Sequence, residues 1–103
     1  MSARRNDLSA LTANAGNAAA MLRALANERR LVILCLLIEA GEMSAGELAE
    51  QVGISQSALS QHLAKMREEG LVAFRREAQT VHYRIDDADV KRLISLLKNI
   101  YCA

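Results

Sequence analysis

The sequence predicts one mainly helical domain that carries a single β-hairpin, and three observations support this fold class. The chain of 103 residues is 51% hydrophobic, has 3% aromatic residues and contains no proline, a composition that favours helices. Apolar residues recur every three or four positions along most of the chain, which is the spacing of amphipathic helices. After Gly70 the period changes to two, which indicates strands.

Length and charge limit the classes of protein that this chain can represent. A chain of this length leaves no room for a second globular domain or a large enzyme core. Its 13 Lys+Arg and 12 Asp+Glu give a net charge of +1, which excludes a globally basic nucleic-acid binder and requires a local basic patch for any DNA binding. The longest apolar run, residues 31–38, is far shorter than a membrane span. With no hydrophobic segment after the polar start, we expect a cytosolic protein without membrane partners.

Two helices are predicted in the N-terminal part. Residues 1–7 read as a flexible arm, and residues 8–25 carry leucine and alanine at helical spacing, with Gly16 as a point where the helix could divide in two. Asn27 is a suitable N-cap for a second helix, which ends at Gly41. Because residues 31–38 are apolar on every side, this helix is expected to be central and buried.

Two further capped helices follow in close succession. Ser44 and Glu47 have the spacing of a capping box, and the short helix that they begin ends at Gly53. Ser55 is a second N-cap, and the longer helix after it is closed by Gly70. Two capped helices joined by a tight turn that contains glycine are the sequence form of a helix-turn-helix.

The C-terminal part predicts a hairpin and a last helix. Val72 and Phe74, and then apolar residues within 81–85, alternate with polar residues around a polar tip at residues 77–79. Asp86 or Asp87 then caps a helix with an apolar stripe. The resulting order, α-α-α-α-β-β-α, is that of a winged helix-turn-helix, in which the second helix of the pair enters the major groove of DNA.

The predicted recognition helix has one buried face and one small, polar face. Leu59, Leu63 and Met66 share the buried face, at 100° per residue. The opposite face carries amides and hydroxyls suited to base edges, with one lysine suited to phosphate. An ordinary solvated face is the alternative, although such faces are usually rich in long charged side chains. The predicted DNA contacts on this helix are Ser55, Gln56, Ser57, Ser60, Gln61 and Lys65.

The wing adds four candidate DNA contacts, which are Arg75, Arg76, Gln79 and Arg84. Arg75 and Arg84 are expected on the polar side of the hairpin, together with Thr80 and His82. From there they would lie along the phosphates or enter the minor groove. The alternative is a charged edge strand that resists aggregation, and the sequence leaves both interpretations open.

Three segments resemble the ArsR family of bacterial repressors: Ala26–Leu31, Ser55–Leu63 and Arg76–Val81. The resemblance covers nearly the whole chain, from about Ala18 to Cys102. It implies a homodimer on an imperfectly palindromic double-stranded DNA operator, with the first and last helices, residues 8–25 and 87–102, as the dimer interface. The apolar stripes of these two helices suit that role.

Many members of this family sense metals, and two types of metal site in the family have ligands at known positions. One type of site uses cysteines in the first helix of the helix-turn-helix, and residues 47–53 contain none. Another uses aspartate and histidine on the last helix, where Asp87 and Asp89 are present but no histidine follows. Because transition metals need thiolate or imidazole ligands, we expect neither a metal nor another cofactor.

Cys35 and Cys102 remain as candidate sensing residues. Their placement resembles a subgroup of the family that senses reactive sulfur or redox state through two thiols. The resemblance implies that both react with a persulfide, a polysulfide or an oxidant and that the protein then leaves DNA. From the residues alone, Cys35 could be a buried, inert small residue in an apolar helix. Lys98, one turn before Cys102, favours a thiolate there, whereas the helix C-terminus opposes it.

The sequence leaves two functions as alternatives to a thiol-controlled repressor. The first is an anti-repressor or architectural DNA-binding protein in which the cysteines are passive. The second is a thiol enzyme, which is disfavoured because the sequence has no Cys-x-x-Cys, no convincing Ser-His-Asp set and no glycine-rich phosphate loop. We therefore expect a regulator and not an enzyme.

Overall fold

The computed structural model describes the backbone of residues 2–102 and the side chains of residues 8–102. Its five helices and three strands follow one another in the predicted order, with one additional short strand before the third helix. They are α1 (Ser2–Leu25), α2 (Glu28–Ala40), β1 (Met43–Ser44), α3 (Ala45–Val52), α4 (Gln56–Glu68), β2 (Val72–Glu77), β3 (Thr80–Ile85) and α5 (Ala88–Tyr101). The predicted winged helix-turn-helix fold is confirmed.

Four helices begin at side-chain caps that the sequence predicted. The caps of α2, α3, α4 and α5 are Asn27, Ser44, Ser55 and Asp87, and each accepts a hydrogen bond from a backbone N–H in the first turn. Asp87, rather than Asp86, is the cap of α5. At the other ends, Gly41 and Gly53 have φ angles of 80°, a conformation that glycine adopts without strain. Local chemistry therefore sets most of the helix boundaries.

Helix α1 begins earlier than predicted and is continuous at Gly16, where the sequence left a division into two helices open. It begins at Ser2, so residues 2–7 have a helical backbone instead of forming an arm, and it continues without a break through Gly16. No proline or glycine lies between Ser2 and Leu8 to end a helix there. A single glycine costs a helix only about 1 kcal/mol, which is too little to interrupt 24 residues.

The wing belongs to a three-stranded antiparallel sheet with the order β1-β3-β2. β2 and β3 pair from Val72↔Ile85 to Glu77↔Thr80, which leaves a two-residue turn at Ala78 and Gln79. Ala78 has a φ of 55°, a strained conformation for a residue other than glycine. The two residues of β1 pair with β3 and were not predicted, because two residues show no period.

The core lies beneath α2, the helix-turn-helix and the base of the wing. Its fully buried side chains include Ile33, Leu34 and Leu37 of α2 together with Leu59, Leu63 and Met66 of α4. Helix α2 is central, as predicted, but it is not buried on every side, because Val32 is 46% exposed. The apolar sequence of α2 therefore exceeds what this chain alone covers.

A buried arginine of α2 binds both the end of α1 and the residue directly after α4. Arg30 is the only charged side chain that is buried among those the structure describes. Its Nη1 donates to the Ala24 carbonyl at the end of α1 and to the Glu69 carboxylate directly after α4. The Arg30–Glu69 pair therefore joins α1, α2 and α4 at one point.

No helix in the described part of the chain is long and apolar enough to cross a membrane.

Candidate nucleic-acid interface and thiol pair

Helix α4 presents the two faces that its sequence predicted. Leu59, Leu63 and Met66 are buried against the core, so the residues between them face outward. The predicted DNA-contacting side chains are all exposed, namely Ser55, Gln56, Ser57, Ser60, Gln61 and Lys65. Ser57 and Ser60 on this outward face are small, so the helix backbone can come close to a surface at these positions.

Two of these candidates have neighbours within the protein at the start of α4. The Ser55 Oγ accepts the Ala58 N–H at 3.1 Å, so its first role is to cap the helix. A Cβ added to Gly46 would lie 3.7 Å from the Gln56 Nε2, so the Gln56 side chain passes close to the start of α3. Sequence reasoning gave no role to Gly46, whose closeness to Gln56 appears only in the fold.

The register of the wing divides its side chains between two faces. Residues that pair across β2 and β3 lie on the same side of the sheet, and these pairs include Arg75↔His82 and Ala73↔Arg84. The polar face of the wing therefore consists of Ala73, Arg75, Glu77, Thr80, His82 and Arg84. This confirms that Arg75 and Arg84 share the polar side, whereas Arg76 lies on the opposite face and Gln79 is exposed at the tip.

Arg75 is bound by two carboxylates of the protein itself. Its Nε lies 3.0 Å from both carboxylate oxygens of Glu42 and its Nη2 lies 2.7 Å from Oε1 of the same residue. Its Nη1 donates to Glu77 at 3.2 Å. The hydrogen bonds from Arg75 lower the pKa of the Glu42 carboxyl. Sequence reasoning missed Glu42, because it lies 33 positions before Arg75 in the chain.

An aromatic ring connects the recognition helix with the opposite face of the wing. The Arg67 guanidinium lies 4.7 Å from the centroid of the Phe74 ring, and that of Arg76 lies 6.0 Å from it. Both distances are within the range of cation–π attraction. Phe74 also packs against Tyr83 at a centroid distance of 5.7 Å. The Phe74 ring therefore neighbours the guanidinium groups of both Arg76 and Arg67, and Arg67 is a basic residue of this surface that sequence reasoning did not name.

The two cysteines lie on helices that pack against each other. Cys35 is half-buried on α2, Cys102 is exposed at the end of α5, and both thiols are free. One helical turn from each cysteine, the Lys98 Nζ lies 3.8 Å from a Glu39 carboxylate oxygen. This pair joins α2 to α5 beside the thiols. The fold therefore brings Cys35 and Cys102 into one neighbourhood, although they lie far apart in the chain.

The surroundings of Cys35 affect its acidity in opposite directions. Burial raises the pKa of the Cys35 thiol, and the nearby Cys102 raises it further, while the positive charge of Lys98 lowers it. Because the net direction is upward, the thiol of Cys35 is largely protonated at neutral pH. Its reaction as a thiolate should become faster as the pH rises.

A second surface is apolar and lies on α1 and α5. Among residues 8–25, only Leu25 is buried, while Leu8, Leu11 and Leu22 are largely exposed. On α5, Leu96 is 56% exposed and Ile100 is 57% exposed. We call the set Leu8, Leu11, Leu22, Leu96 and Ile100 the apolar α1–α5 surface. The radius of gyration is 15.8 Å, compared with about 13 Å for a compact chain of this length. Helix α1 is therefore poorly covered by the rest of the chain.

The described side chains offer no evident metal site. Among residues 8–102, no group of three or more histidine, cysteine, aspartate or glutamate side chains is placed to hold a metal ion. The Asp87 carboxylate accepts hydrogen bonds from the backbone N–H groups of Asp89 and Val90. The Asp89 carboxylate forms an ion pair with Arg92 at 3.0 Å. The carboxylates that the sequence singled out on the last helix thus already have partners within the helix.

Comparisons with known proteins identify similar sequences over almost the full chain. Residues 27–73 match a family model described as "Bacterial regulatory protein, arsR family". The chain is 50% identical over 96 residues to the transcriptional activator HlyU of Vibrio cholerae, covering 93% of this chain and 88% of that protein.

Solved structures of similar proteins have the same fold. A structure described as reduced HlyU from Vibrio cholerae N16961 matches with a TM-score of 0.84 at 50% identity, covering 90% of this chain and 97% of that one. The transcriptional repressor BigR from Xylella fastidiosa matches with a TM-score of 0.81 at 39% identity, covering 96% and 97%. Both the sequence and the fold thus resemble transcriptional regulators.

Proposed function

The chain belongs to the ArsR family of bacterial regulatory proteins, whose members regulate transcription and are not enzymes, and on this premise we propose that it is a homodimeric repressor controlled by two thiols. It binds a palindromic operator through α4 and the wing. It leaves that operator when Cys35 and Cys102 react with a persulfide, a polysulfide or an oxidant. The observation that carries this proposal is the placement of both thiols on packed helices beside the Glu39–Lys98 pair.

The chemistry is thiol–disulfide exchange at Cys35 followed by closure onto Cys102. The Cys35 thiolate attacks the outer sulfur of a persulfide R–S–SH and expels the thiol RSH, which leaves Cys35–S–SH. The Cys102 thiolate then attacks the cysteine sulfur and expels hydrosulfide, so the protein disulfide forms together with RSH and H2S. With a disulfide R–S–S–R the same two steps release two molecules of RSH. A trisulfide bridge uses two persulfides, because both cysteines are first converted and one hydrosulfide then leaves.

A bridge between α2 and α5 acts on the elements that set the geometry of DNA binding. Helix α5 carries part of the apolar α1–α5 surface, through which we infer that two copies pair. Helix α2 packs against α3, and its Arg30 binds Glu69 directly after α4. In the chain-entropy model, closing so long a loop constrains the protein by roughly 4 kcal/mol. This entropy is lost from the unfolded chain, so the bridge shifts a two-state dimer only if the two sulfurs meet with less strain in one spacing of its recognition helices than in the other.

The proposal is tested on the reduced protein with a persulfide donor and, separately, with oxidised glutathione. The DNA is an operator selected from random duplexes by the reduced wild type. We expect intact mass to show a Cys35–Cys102 bridge and the operator Kd to rise at least about fivefold, as is typical of coupled sites. Cys35→Ser and Cys102→Ser should bind the operator as the reduced wild type does and should not respond.

Either of two results would contradict this mechanism. The first is a bridge that leaves the operator Kd unchanged. The second is a Cys35→Ser variant that still responds to the donor. Sulfur retained in the bridge only after persulfide treatment indicates a reactive-sulfur sensor, whereas a plain disulfide with either reagent indicates a general redox switch.

The second candidate function is an anti-repressor whose cysteines are passive. The observation that favours it is the similarity to HlyU of Vibrio cholerae, which is described as a transcriptional activator. BigR, in contrast, is described as a repressor. A reporter under the selected operator separates the two functions, since a repressor lowers transcription by itself and an anti-repressor raises it only when a silencing protein is present.

The recognition face of α4 leads to a separate prediction about DNA sequence. Gln56→Ala is expected to relax the preference at one base pair in each half-site, at a cost of about 1–3 kcal/mol, because an amide at the exposed start of the helix is lost. The measurement is a Kd series on operators with single base changes. Gln51→Ala, an exposed glutamine on α3, is the matched control. An unchanged preferred operator in Gln56→Ala would show that α4 does not read bases through this residue.

A further inference from the structure

The corner between α2 and β1 carries an acidic residue that reaches across the sheet to the wing. Glu42 directly follows Gly41, which ends α2, and precedes Met43, which pairs with Tyr83 of β3. Continuing this antiparallel register by one residue places Glu42 opposite Arg84, on the polar face of the wing. Glu42 therefore lies among the basic residues that were predicted to meet DNA phosphates.

All three nitrogens of the Arg75 guanidinium are engaged by carboxylates in this arrangement. Glu42 accepts from Nε through Oε2 and from Nη2 through Oε1, the bidentate geometry that arginine also uses for phosphate. Glu77 accepts from Nη1, and its other neighbour is His82, whose Nε2 lies 3.7 Å away. A DNA phosphate can therefore bind Arg75 in the same bidentate way only by displacing Glu42.

The ion pair between Arg75 and Glu42 has little value for the stability of the fold. Their side chains are 46% and 31% exposed, and ion pairs of this kind contribute little because water screens both charges. The principal consequence is electrostatic, since two carboxylates offset the charges of Arg75 and Arg84 on the polar face of the wing. Such a surface attracts DNA less strongly than its arginines alone would.

We propose that Glu42 is an internal competitor for DNA phosphate, which holds Arg75 in the free protein and gives it up when a phosphate takes its place. The inference rests on the proposed role of the wing in DNA binding and does not depend on the thiol switch. Since every phosphate displaces the same carboxylate, Glu42 weakens binding to all DNA by the same factor and reads no sequence.

The test compares Glu42→Gln with Glu50→Gln, an exposed glutamate on α3 that changes the net charge equally. Affinities for the selected operator and for a duplex of scrambled sequence are measured from 0.05 to 0.3 M salt, where phosphate contacts are strongly salt-dependent. Glu42→Gln is expected to strengthen both by a similar factor, roughly threefold to tenfold at 0.1 M salt. The slope of log K against log salt should become steeper by about 0.9 for each wing on the DNA. Glu50→Gln should do so much less.

A double-substitution cycle with Arg75→Ala separates displacement from a general change in charge. In the Arg75→Ala background, Glu42→Gln should have no more effect than Glu50→Gln. A full effect of Glu42→Gln in that background, or an unchanged salt slope in the single variant, would overturn the proposal. Arg75→Ala with wild-type DNA affinity would show instead that the wing does not contact phosphate. Absence of any salt-dependent DNA binding by the wild type would overturn the proposed function itself.

Discussion

Replacing Leu96 by aspartate is expected to convert the proposed homodimer into monomers and to lower operator affinity by at least about a hundredfold. Leu96 is 56% exposed and lines two hollows between α1 and α5, one with Leu11 and Met21 and the other with Leu22 and Leu25. In a two-fold symmetric dimer each substitution acts twice at the interface. Two buried leucines contribute roughly 3–6 kcal/mol, and two carboxylates buried without partners add a further cost.

The loss of DNA affinity follows from the loss of the second half-site. A dimer on a palindrome gains about 10²–10⁴ over a monomer, because the second recognition helix binds at a high effective concentration. Sedimentation velocity gives the oligomeric state, circular dichroism the helix content and fluorescence anisotropy the operator Kd. Lys91→Gln is the control, because it changes the net charge equally on an exposed position of the same helix. A Leu96→Asp protein that remains dimeric, or a monomer with wild-type Kd, would show that the apolar α1–α5 surface has another purpose.

The features that the sequence predicted well are those decided within a few residues. The caps Asn27, Ser44 and Ser55 bind backbone N–H groups three residues later, so the signal and its partner stand together. The buried face of α4 follows from a period of 3.6, and the faces of the wing follow from a period of two. These rules are sufficient to predict the order of the elements and the outward face of the recognition helix.

What the sequence could not predict depends on residues that meet only after folding. Strand β1 exists because β3 pairs with it across the chain, and Arg75 is bound by a glutamate that precedes it by 33 positions. Helix α2 reads as buried on every side, yet Val32 remains exposed, because covering it would require surface that this chain does not supply. The sequence-based prediction was therefore incomplete for ion pairs between distant residues and for apolar surface that a single chain leaves uncovered.

Arg30 and Glu69 lie 39 positions apart and also meet only after folding. We expect removal of one partner to cost more stability than removal of the other. The Arg30 side chain is 11% exposed and that of Glu69 is 43% exposed. Removing Glu69 leaves a buried cation whose remaining side-chain partner in the described part of the chain is the Ala24 carbonyl, whereas removing Arg30 leaves a carboxylate that water can reach. Glu69→Ala should therefore cost more stability than Arg30→Met.

We expect Glu69→Ala to lower the free energy of unfolding by about 2–3 kcal/mol, less than for a fully buried pair because Glu69 is partly solvated. Arg30→Met should cost about 1 kcal/mol, since its apolar stem is retained and water can solvate the Glu69 carboxylate that loses its partner, so the main loss is the hydrogen bond to the Ala24 carbonyl. Urea unfolding at one fixed protein concentration measures both free energies, because the stability of a dimer depends on concentration.

Glu68→Ala is the control. An acidic residue at a helix C-terminus is slightly unfavourable, so this variant should be neutral or weakly stabilising. If Arg30→Met proved the more costly substitution, the bond to the end of α1 would matter more than the buried charge, and α1 rather than α4 would be the helix that Arg30 chiefly holds.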